Sequence, residues 1–139
     1  MKKYLLDTNI CIHYLKNEFD IPQKIFDAGA ENCYISELTV MELLYGAARG
    51  NEKNRENNMQ KAYLIENKIF KDRVIPVRVA FERFAIEKAK LKSSGKQIGE
   101  VDTLIASTAL VHEMILVTRN VKHFERIEGL EIENWIDVG

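Results

Sequence analysis

Cysteine and proline are scarce in this sequence. Its 139 residues include two of each, and neither Cys11 nor Cys33 belongs to a Cys-x-x-Cys or Cys-x-x-His pair. This pattern argues against a disulfide framework and against a structural zinc site, so we expect two free, buried thiols. With 46% hydrophobic residues and seven glycines, the composition also argues against disordered and collagen-like chains.

Long hydrophobic runs and an excess of one charge are also missing. The first apolar run, Tyr4 to Leu6, is interrupted by Asp7 and is far too short for a signal peptide or a membrane span, so we expect a cytoplasmic protein. Twenty basic and 21 acidic residues give a net charge of −1, which argues against nucleic-acid binding by bulk electrostatics alone. Local basic clusters would have to serve instead: Arg49, Lys53 and Arg55; Lys88, Lys90, Lys92 and Lys96; and Arg119, Lys122 and Arg126.

Short apolar runs alternate with segments of helical periodicity along the chain. Strands are predicted at 4–6, 32–35, 74–77, 115–117 and 130–132, and helices at 10–15, 21–28, 37–48, 63–69, 79–91 and 101–112. The polar stretch 51–58 is either a loop or an exposed helix start. This alternation predicts parallel strands with right-handed crossovers, an α/β/α sandwich with a central parallel sheet. The length and the lack of a linker indicate a single domain over residues 1–139.

Asp7 is the first candidate site residue because it directly follows a predicted strand. In an open parallel sheet, sites form at the carboxyl ends of strands, near the point where strand order reverses. An aspartate at this position could equally cap the next helix. Three polar residues follow the predicted strand Ile115–Val117 in the same way, although loop polarity alone would also account for them: Thr118, Arg119 and Asn120.

Glu42 is predicted to lie on the buried side of its helix. Leu38 comes four residues before it and Tyr45 three residues after it, so the three side chains share one helical stripe. An unpaired ionised carboxylate in an apolar setting costs several kcal/mol or acquires a raised pKa. Glu42 therefore needs a metal ion, a proton or a basic partner, and a buried ion pair is the alternative to a metal site.

Asp102 is a third acid that we expect to point toward the core. It lies at the start of the predicted helix 101–112, and Ile105 and Ala106 follow on the inward side. The positive end of a helix dipole favours an aspartate here even without a catalytic role. Glu100, just before it, is either a further ligand or a solvated cap.

Carboxylates from three separate elements form a donor set suited to a hard cation such as Mg²⁺ or Mn²⁺. Such a metal can lower the pKa of a bound water, orient it and stabilise charge on phosphate oxygens. The set Asp7, Glu42 and Asp102 therefore indicates phosphodiester hydrolysis. Hydroxyl, amide and guanidinium groups would complete the pocket and hold water or phosphate: Thr8, Thr118, Asn120 and Arg119.

Four segments together carry a family resemblance. They are Leu6-Asp7-Thr8-Asn9, Thr39-Val40-Met41-Glu42-Leu43 with Tyr45-Gly46, Asp102-Thr103-Leu104-Ile105-Ala106, and Val117-Thr118-Arg119-Asn120 with Phe124. In these segments, and in its ending from Leu130 to Trp135, the chain resembles a PIN domain of the VapC toxin type. Each segment alone is a weak signal, but their combination and order are specific.

The resemblance implies a PIN-like fold and a metal-dependent endoribonuclease that is the toxin of a toxin–antitoxin pair. Such toxins cut tRNA, rRNA or mRNA, are commonly homodimers, and are blocked by a cognate antitoxin that inserts a tail segment. By this resemblance Asp7, Glu42 and Asp102 are ligands of Mg²⁺ or Mn²⁺. Thr8, together with Thr118 or Asn120, supports them.

One position departs from the family pattern and leaves an alternative open. Many members carry a fourth acid three residues after the last asparagine, where this chain has His123, a weaker ligand for Mg²⁺. The alternative is a PIN-like module that binds RNA or a protein partner without cutting. A haloacid-dehalogenase-like phosphotransferase is disfavoured because Asn9 replaces the second aspartate of its motif, and a response-regulator receiver gives Glu42 no role.

Overall fold

The computed structural model describes residues 1–137. Within these residues the chain forms five strands, seven α-helices, a π-helical turn at Ile65–Ile69 and 3₁₀ turns at Ala30–Asn32 and Val77–Ala80. The strands are β1 (Tyr4–Leu6), β2 (Cys33–Ser36), β3 (Val74–Ile75), β4 (Ile115–Val117) and β5 (Ile132–Glu133). The helices are α1 (Thr8–Leu15), α2 (Ile21–Ala28), α3 (Glu37–Ala48), α4 (Glu52–Leu64), α5 (Phe81–Ser94), α6 (Glu100–Val111) and α7 (Val121–Phe124).

The five strands form one parallel sheet in the order β3-β2-β1-β4-β5. β1 lies at the centre, where Leu6 pairs with Val117 of β4. The chain moves outward from β1 through β2 to β3, then returns to the other side of β1 for β4 and β5. Strand order therefore reverses between β1 and β4, which is where open parallel sheets hold their sites.

Two hydrophobic cores cover the two faces of the sheet, which confirms the predicted α/β/α sandwich. Leu6 and Val117 point into a core shared with α1 and α2, whereas Leu5 and Leu116 point into a core shared with α5 and α6. A fully buried leucine stabilises the fold by roughly 1.5–3 kcal/mol. Two thiols belong to the first core, and both are free and buried as predicted: Cys11 and Cys33.

Several predicted boundaries were wrong or needed resolving. The polar stretch 51–58 is an exposed helix start, because the Asn51 side chain caps α4 by accepting from the Asn54 N–H at 3.0 Å. The helix predicted from 79 begins at Phe81, after a 3₁₀ turn that follows Pro76. The last strand lies at 132–133, not 130–132, because its backbone pairs with β4 in that register.

None of the helices within residues 1–137 is both long and apolar enough to cross a membrane.

Candidate active site

Asp7 is fixed at the reversal point of the sheet by its backbone and its side chain. Its N–H donates to the Val117 carbonyl at 2.9 Å, which joins the carboxyl ends of β1 and β4. Its Oδ1 accepts from the Thr8 N–H at 2.8 Å, so it also caps α1. Asp7 therefore has the predicted role of helix cap, and its side chain at the reversal point of the sheet is only 3% exposed.

Residues after β4 meet Asp7 through its second oxygen. Asp7 Oδ2 accepts from Thr118 Oγ1 at 2.8 Å and from Asn9 Nδ2 at 3.2 Å. Thr118 Oγ1 in turn accepts from the Asn120 N–H at 3.0 Å, and Asn9 Oδ1 accepts from the Arg119 N–H at 3.3 Å. This network holds the two strand ends together around one buried carboxylate.

Glu42 reaches the same region from α3. The helix begins at the buried cap Ser36, whose Oγ accepts from the Leu38 N–H at 3.0 Å. Glu42 Oε1 accepts from Thr8 Oγ1 at 2.5 Å, and Thr8 Oγ1 also lies 3.1 Å from Thr39 Oγ1. Thr8 therefore connects the carboxylate of Glu42 to the backbone that carries Asp7.

The predicted burial of Glu42 was only partly correct. Leu38 is buried, but Tyr45 is 67% exposed, and Glu42 is half-buried between them. The apolar stripe of α3 is narrower than its spacing suggested, because only one side of the helix packs against the rest of the chain. Glu42 lies at the border of that stripe, where its carboxylate remains accessible.

Asp102 and Glu100 differ in their surroundings although both begin α6. The Asp102 side chain is 28% exposed, and its Oδ2 lies 3.9 Å from His123 Nδ1. Glu100 is 70% exposed and pairs with Lys88, and that lysine lowers its pKa. Asp102 is therefore placed toward the site, whereas Glu100 is engaged elsewhere as a solvated residue.

The acids influence one another's ionisation. Burial raises the pKa of Asp7 from its ordinary 3.8 to about 6, against the hydrogen bonds from Thr118 and the Thr8 N–H, and the charges of Asp102 and Glu42 act in the raising direction. Burial also raises the pKa of Asp102, against the opposing effect of His123. Asp102 and Glu42 are thus close enough for their charges to disfavour the ionised form of Asp7.

The structure supplies little positive charge to offset this repulsion. Among residues 1–137, no lysine or arginine nitrogen lies within 4.0 Å of a carboxylate oxygen of Asp7, Glu42 or Asp102. In the same range, no three acidic, histidine or cysteine side chains converge into a ready-made ligand cluster. The donor set consists of carboxylate and hydroxyl oxygens, which fits a hard cation, and threonine hydroxyls hydrogen-bond to two of its acids, Asp7 and Glu42.

Neither of the two polar side chains after Thr118 hydrogen-bonds to Asp7, Glu42 or Asp102 within the described residues. The Arg119 guanidinium turns away from the carboxylates to form two hydrogen bonds with Asp137, at 3.1 and 3.2 Å, and lies 5.1 Å from the centre of the Phe19 ring. Asn120 joins the network through its backbone N–H, while its side chain makes no hydrogen bond within the described residues. Arg119 and Asn120 therefore border the site.

Asn9 and Thr39 belong to the hydrogen-bond network but were not predicted as site residues. Asn9 lies two residues after Asp7 in the first turn of α1, and Thr39 lies one turn before Glu42 in α3. Helical spacing from Glu42 could have identified Thr39, whereas Asn9 lies only two residues from Asp7 and no spacing signal marks it.

A groove opens from the site between α1, α3 and α4, with a volume of about 300 Å³. Its lining combines Glu42 with apolar side chains such as Ile12 and Leu43 and with basic side chains such as Lys16 and Lys61. One carboxylate of the site is therefore reachable along a partly apolar, partly cationic surface.

Comparison with known proteins agrees with this architecture. Residues 4–130 match the PIN domain family. The chain is 34% identical to the tRNA(fMet)-specific endonuclease VapC of Shigella flexneri, covering 97% of this chain and 99% of that protein. It is 37% identical to ribonuclease VapC2 of Haemophilus influenzae, covering 98% and 100%.

Solved structures show the same fold. The DNA-bound VapBC of Salmonella typhimurium superposes with a TM-score of 0.81 at 33% identity, over 97% of this chain and 99% of that one. FitAcB of Neisseria gonorrhoeae gives a TM-score of 0.81 at 27% identity, over 95% and 97%. Because these likenesses extend over nearly the whole chain, the chain belongs to the PIN-domain family and, within it, to the VapC type.

Proposed function

We propose that this protein is a metal-dependent endoribonuclease that hydrolyses phosphodiester bonds in RNA. The observation that carries the proposal is the buried carboxylate of Asp7, which has two acidic neighbours and no lysine or arginine partner among residues 1–137. The names of its relatives, a tRNA-specific endonuclease and a ribonuclease, support the same activity.

Asp7, Glu42 and Asp102 are the residues that would hold the ion, with Mg²⁺ or Mn²⁺ preferred by an all-oxygen donor set. When bound, such an ion lowers the pKa of a water and stabilises charge on phosphate oxygens. A divalent charge would also offset the burial and the neighbouring acidic charges that raise the pKa of Asp7.

The chain's own hydroxyl groups would position these acids. Thr118 donates to Asp7 Oδ2 and Thr8 donates to Glu42 Oε1, so each threonine leaves its acid a second oxygen or lone pair for a ligand. Asn120 borders the site with a free side-chain amide, which we propose orients water or a phosphate oxygen. Thr118 is therefore a positioning residue, and Asn120 is the proposed contact to the reacting groups.

Two partners follow from the same proposal. An antitoxin protein would cover the site, as supported by solved relatives that are VapBC and FitAB complexes. A second copy of the chain would form a homodimer, supported by large apolar side chains left exposed around the start of α5, among them Val79, Phe81 and Ile86. We place the activity in the cytoplasm, where its RNA substrates occur.

A second candidate function is a module that binds RNA or a partner without cutting. The position of His123 favours it, because its Nδ1 lies 3.9 Å from Asp102 and can supply a positive charge there. That charge would compete with a cation at one of the three acids.

Cleavage by the purified chain, without any partner, separates the two functions. RNA would be incubated in Mg²⁺, in Mn²⁺ and in EDTA with wild type, with Asp7→Asn and with the control Asp27→Asn, which makes the same chemical change at an exposed residue of α2. We expect metal-dependent cutting by wild type and control, and a loss of at least about 100-fold in Asp7→Asn. Binding of RNA without cutting by folded wild type would instead establish the binding module.

A further inference from the structure

An open cationic cleft lies beside the carboxylate site. It runs between the end of α5 and the segment around α7, has a volume of about 700 Å³, and is lined by Gly95, Lys96, Lys122, Glu125 and Arg126. Three of its four charged side chains are basic. The cleft therefore carries a local positive charge in a protein whose net charge is −1.

Within the described residues, the lysines of this cleft have no acidic partner. Among residues 1–137, no acidic oxygen lies within 4.0 Å of the Lys96 or Lys122 ammonium group. Lys88 and Arg119, by contrast, pair with acids. Neighbouring like charges without counter-charges raise the electrostatic potential of a concave surface and attract anions.

Arg126 joins the two walls of the cleft. Its Nη1 donates to the Gln97 carbonyl at 3.0 Å, which fixes the segment after α5 against the segment after α7. Lys122 in α7 and Arg126, two residues after the end of that helix, both line the cleft. Their backbone is anchored by the fully buried side chain of Phe124, so the cations are carried on a packed element.

The short helix α7 separates the cleft from the carboxylates. It starts directly after Asn120, whose N–H belongs to the Asp7 network. Its His123 lies beside Asp102, while the adjacent Lys122 lines the cleft. A polyanion that reaches the carboxylates from this side must pass the cleft cations.

We propose that this cleft binds backbone phosphates of the RNA strand next to the bond that is cut, with Lys96 and Lys122 as the phosphate contacts. The inference rests on the proposed function and adds the path of the substrate. Ammonium groups contact phosphates without reading bases, so the cleft contributes affinity and register but no sequence preference. An acidic segment of a protein partner is the competing occupant.

The test is RNA binding by the full chain in EDTA, where cutting is suppressed. A fluorescent, short, mixed-sequence single-stranded RNA is titrated with wild type and with the double variant Lys96→Gln/Lys122→Gln over a series of KCl concentrations. The control Lys2→Gln/Lys71→Gln removes the same charge from two exposed lysines that precede β1 and β3, near the amino ends of the strands, whereas the acids lie at the carboxyl ends. Circular dichroism verifies that all three proteins are folded.

The expected result is a loss of about tenfold in affinity for the cleft variant alone. The slope of log affinity against log salt should fall by about 1.4, at about 0.7 for each lost phosphate contact. In Mg²⁺ the cleft variant should raise KM for RNA cleavage more than it lowers kcat, since neither lysine touches the carboxylates.

Each other outcome overturns the proposal in a recognisable way. Equal binding by the cleft variant and the control, with cutting intact, refutes the cleft and leaves the ribonuclease standing. Wild type that neither binds nor cuts RNA removes the proposed function and the cleft with it. Unchanged RNA binding together with weaker binding of an acidic peptide would assign the cleft to a protein partner.

Discussion

Asparagine in place of Asp7 is expected to stabilise the metal-free protein at neutral pH, although it should abolish the proposed cleavage. The Asp7 carboxylate is 3% exposed and lies near two other acids, so its negative charge is poorly solvated in the folded protein. An amide has the same shape without the charge, so it avoids the desolvation cost. The same substitution is thus expected to raise the free energy of unfolding and to abolish cleavage.

The magnitude follows from the pKa of the group. A rise from 3.8 to about 6 corresponds to about 3 kcal/mol of lost stability once the acid is ionised. The amide nitrogen cannot accept the hydrogen bond that Thr118 or Asn9 now donates to Oδ2, which costs about 1 kcal/mol. We therefore expect the free energy of unfolding near pH 7.5 to be about 2 kcal/mol higher for Asp7→Asn than for wild type.

The pH dependence has a definite sign. Because the pKa is higher in the folded state, the protonated acid is stabilising below about 3.8, and this contribution is lost as pH rises through about 6. Asparagine resembles the protonated form at every pH. The advantage of the variant should therefore shrink by about 1.5 kcal/mol between about pH 7.5 and pH 5.

Urea denaturation in EDTA provides the measurement, followed by the fluorescence of Trp135, the single tryptophan. This residue is half-buried, with its ring centre 5.5 Å from that of Tyr4, so unfolding changes its surroundings. The control Asp27→Asn should stay within about 0.5 kcal/mol of wild type. A variant that is no more stable than wild type near pH 7.5, or an advantage that does not change with pH, would refute the argument.

Four further outcomes are expected. Mg²⁺ should raise the Tm of wild type but not of Asp7→Asn, and equal shifts would place the ion elsewhere. Ser36→Ala should lower the free energy of unfolding in urea by about 1–2 kcal/mol through the lost cap of α3, and an unchanged midpoint would contradict this. Glu100→Gln should leave the cleavage rate within about twofold, since its pair with Lys88 is exposed; a large loss would make Glu100 a ligand. Thr118→Val removes a hydrogen bond that lowers the pKa of Asp7, so the acidic limb of the cleavage profile should move to higher pH, and a fixed limb would exclude Thr118 as a positioning residue.

The strands and the helix that carry the site were predictable because their signals are local. The run Ile115–Val117 is wholly apolar and forms β4 with the predicted bounds. The helix 37–48 was also correct, because Ser36 supplies a cap directly before a helical apolar period. Asp7 follows β1 immediately, so its place at a strand end required only that β1 be parallel to its neighbours.

The errors concern features that depend on distant parts of the chain. The exposure of Tyr45 depends on which side of α3 is packed, and helical spacing alone does not contain that information. The position of β5 depends on its register with β4. The sequence left Glu100 open between a further ligand and a solvated cap, because its pair with Lys88 of α5 is a distant contact.

The reactivity of the two buried thiols of the first core can report transient opening of that core. Burial raises the pKa of Cys11, with the charge of Asp7 acting in the same direction, and burial raises the pKa of Cys33 to about 11. A thiol reagent reacts with the thiolate, so native protein should be modified only when the core transiently opens. The rate of labelling would then report local unfolding directly beneath Asp7, without any engineered probe.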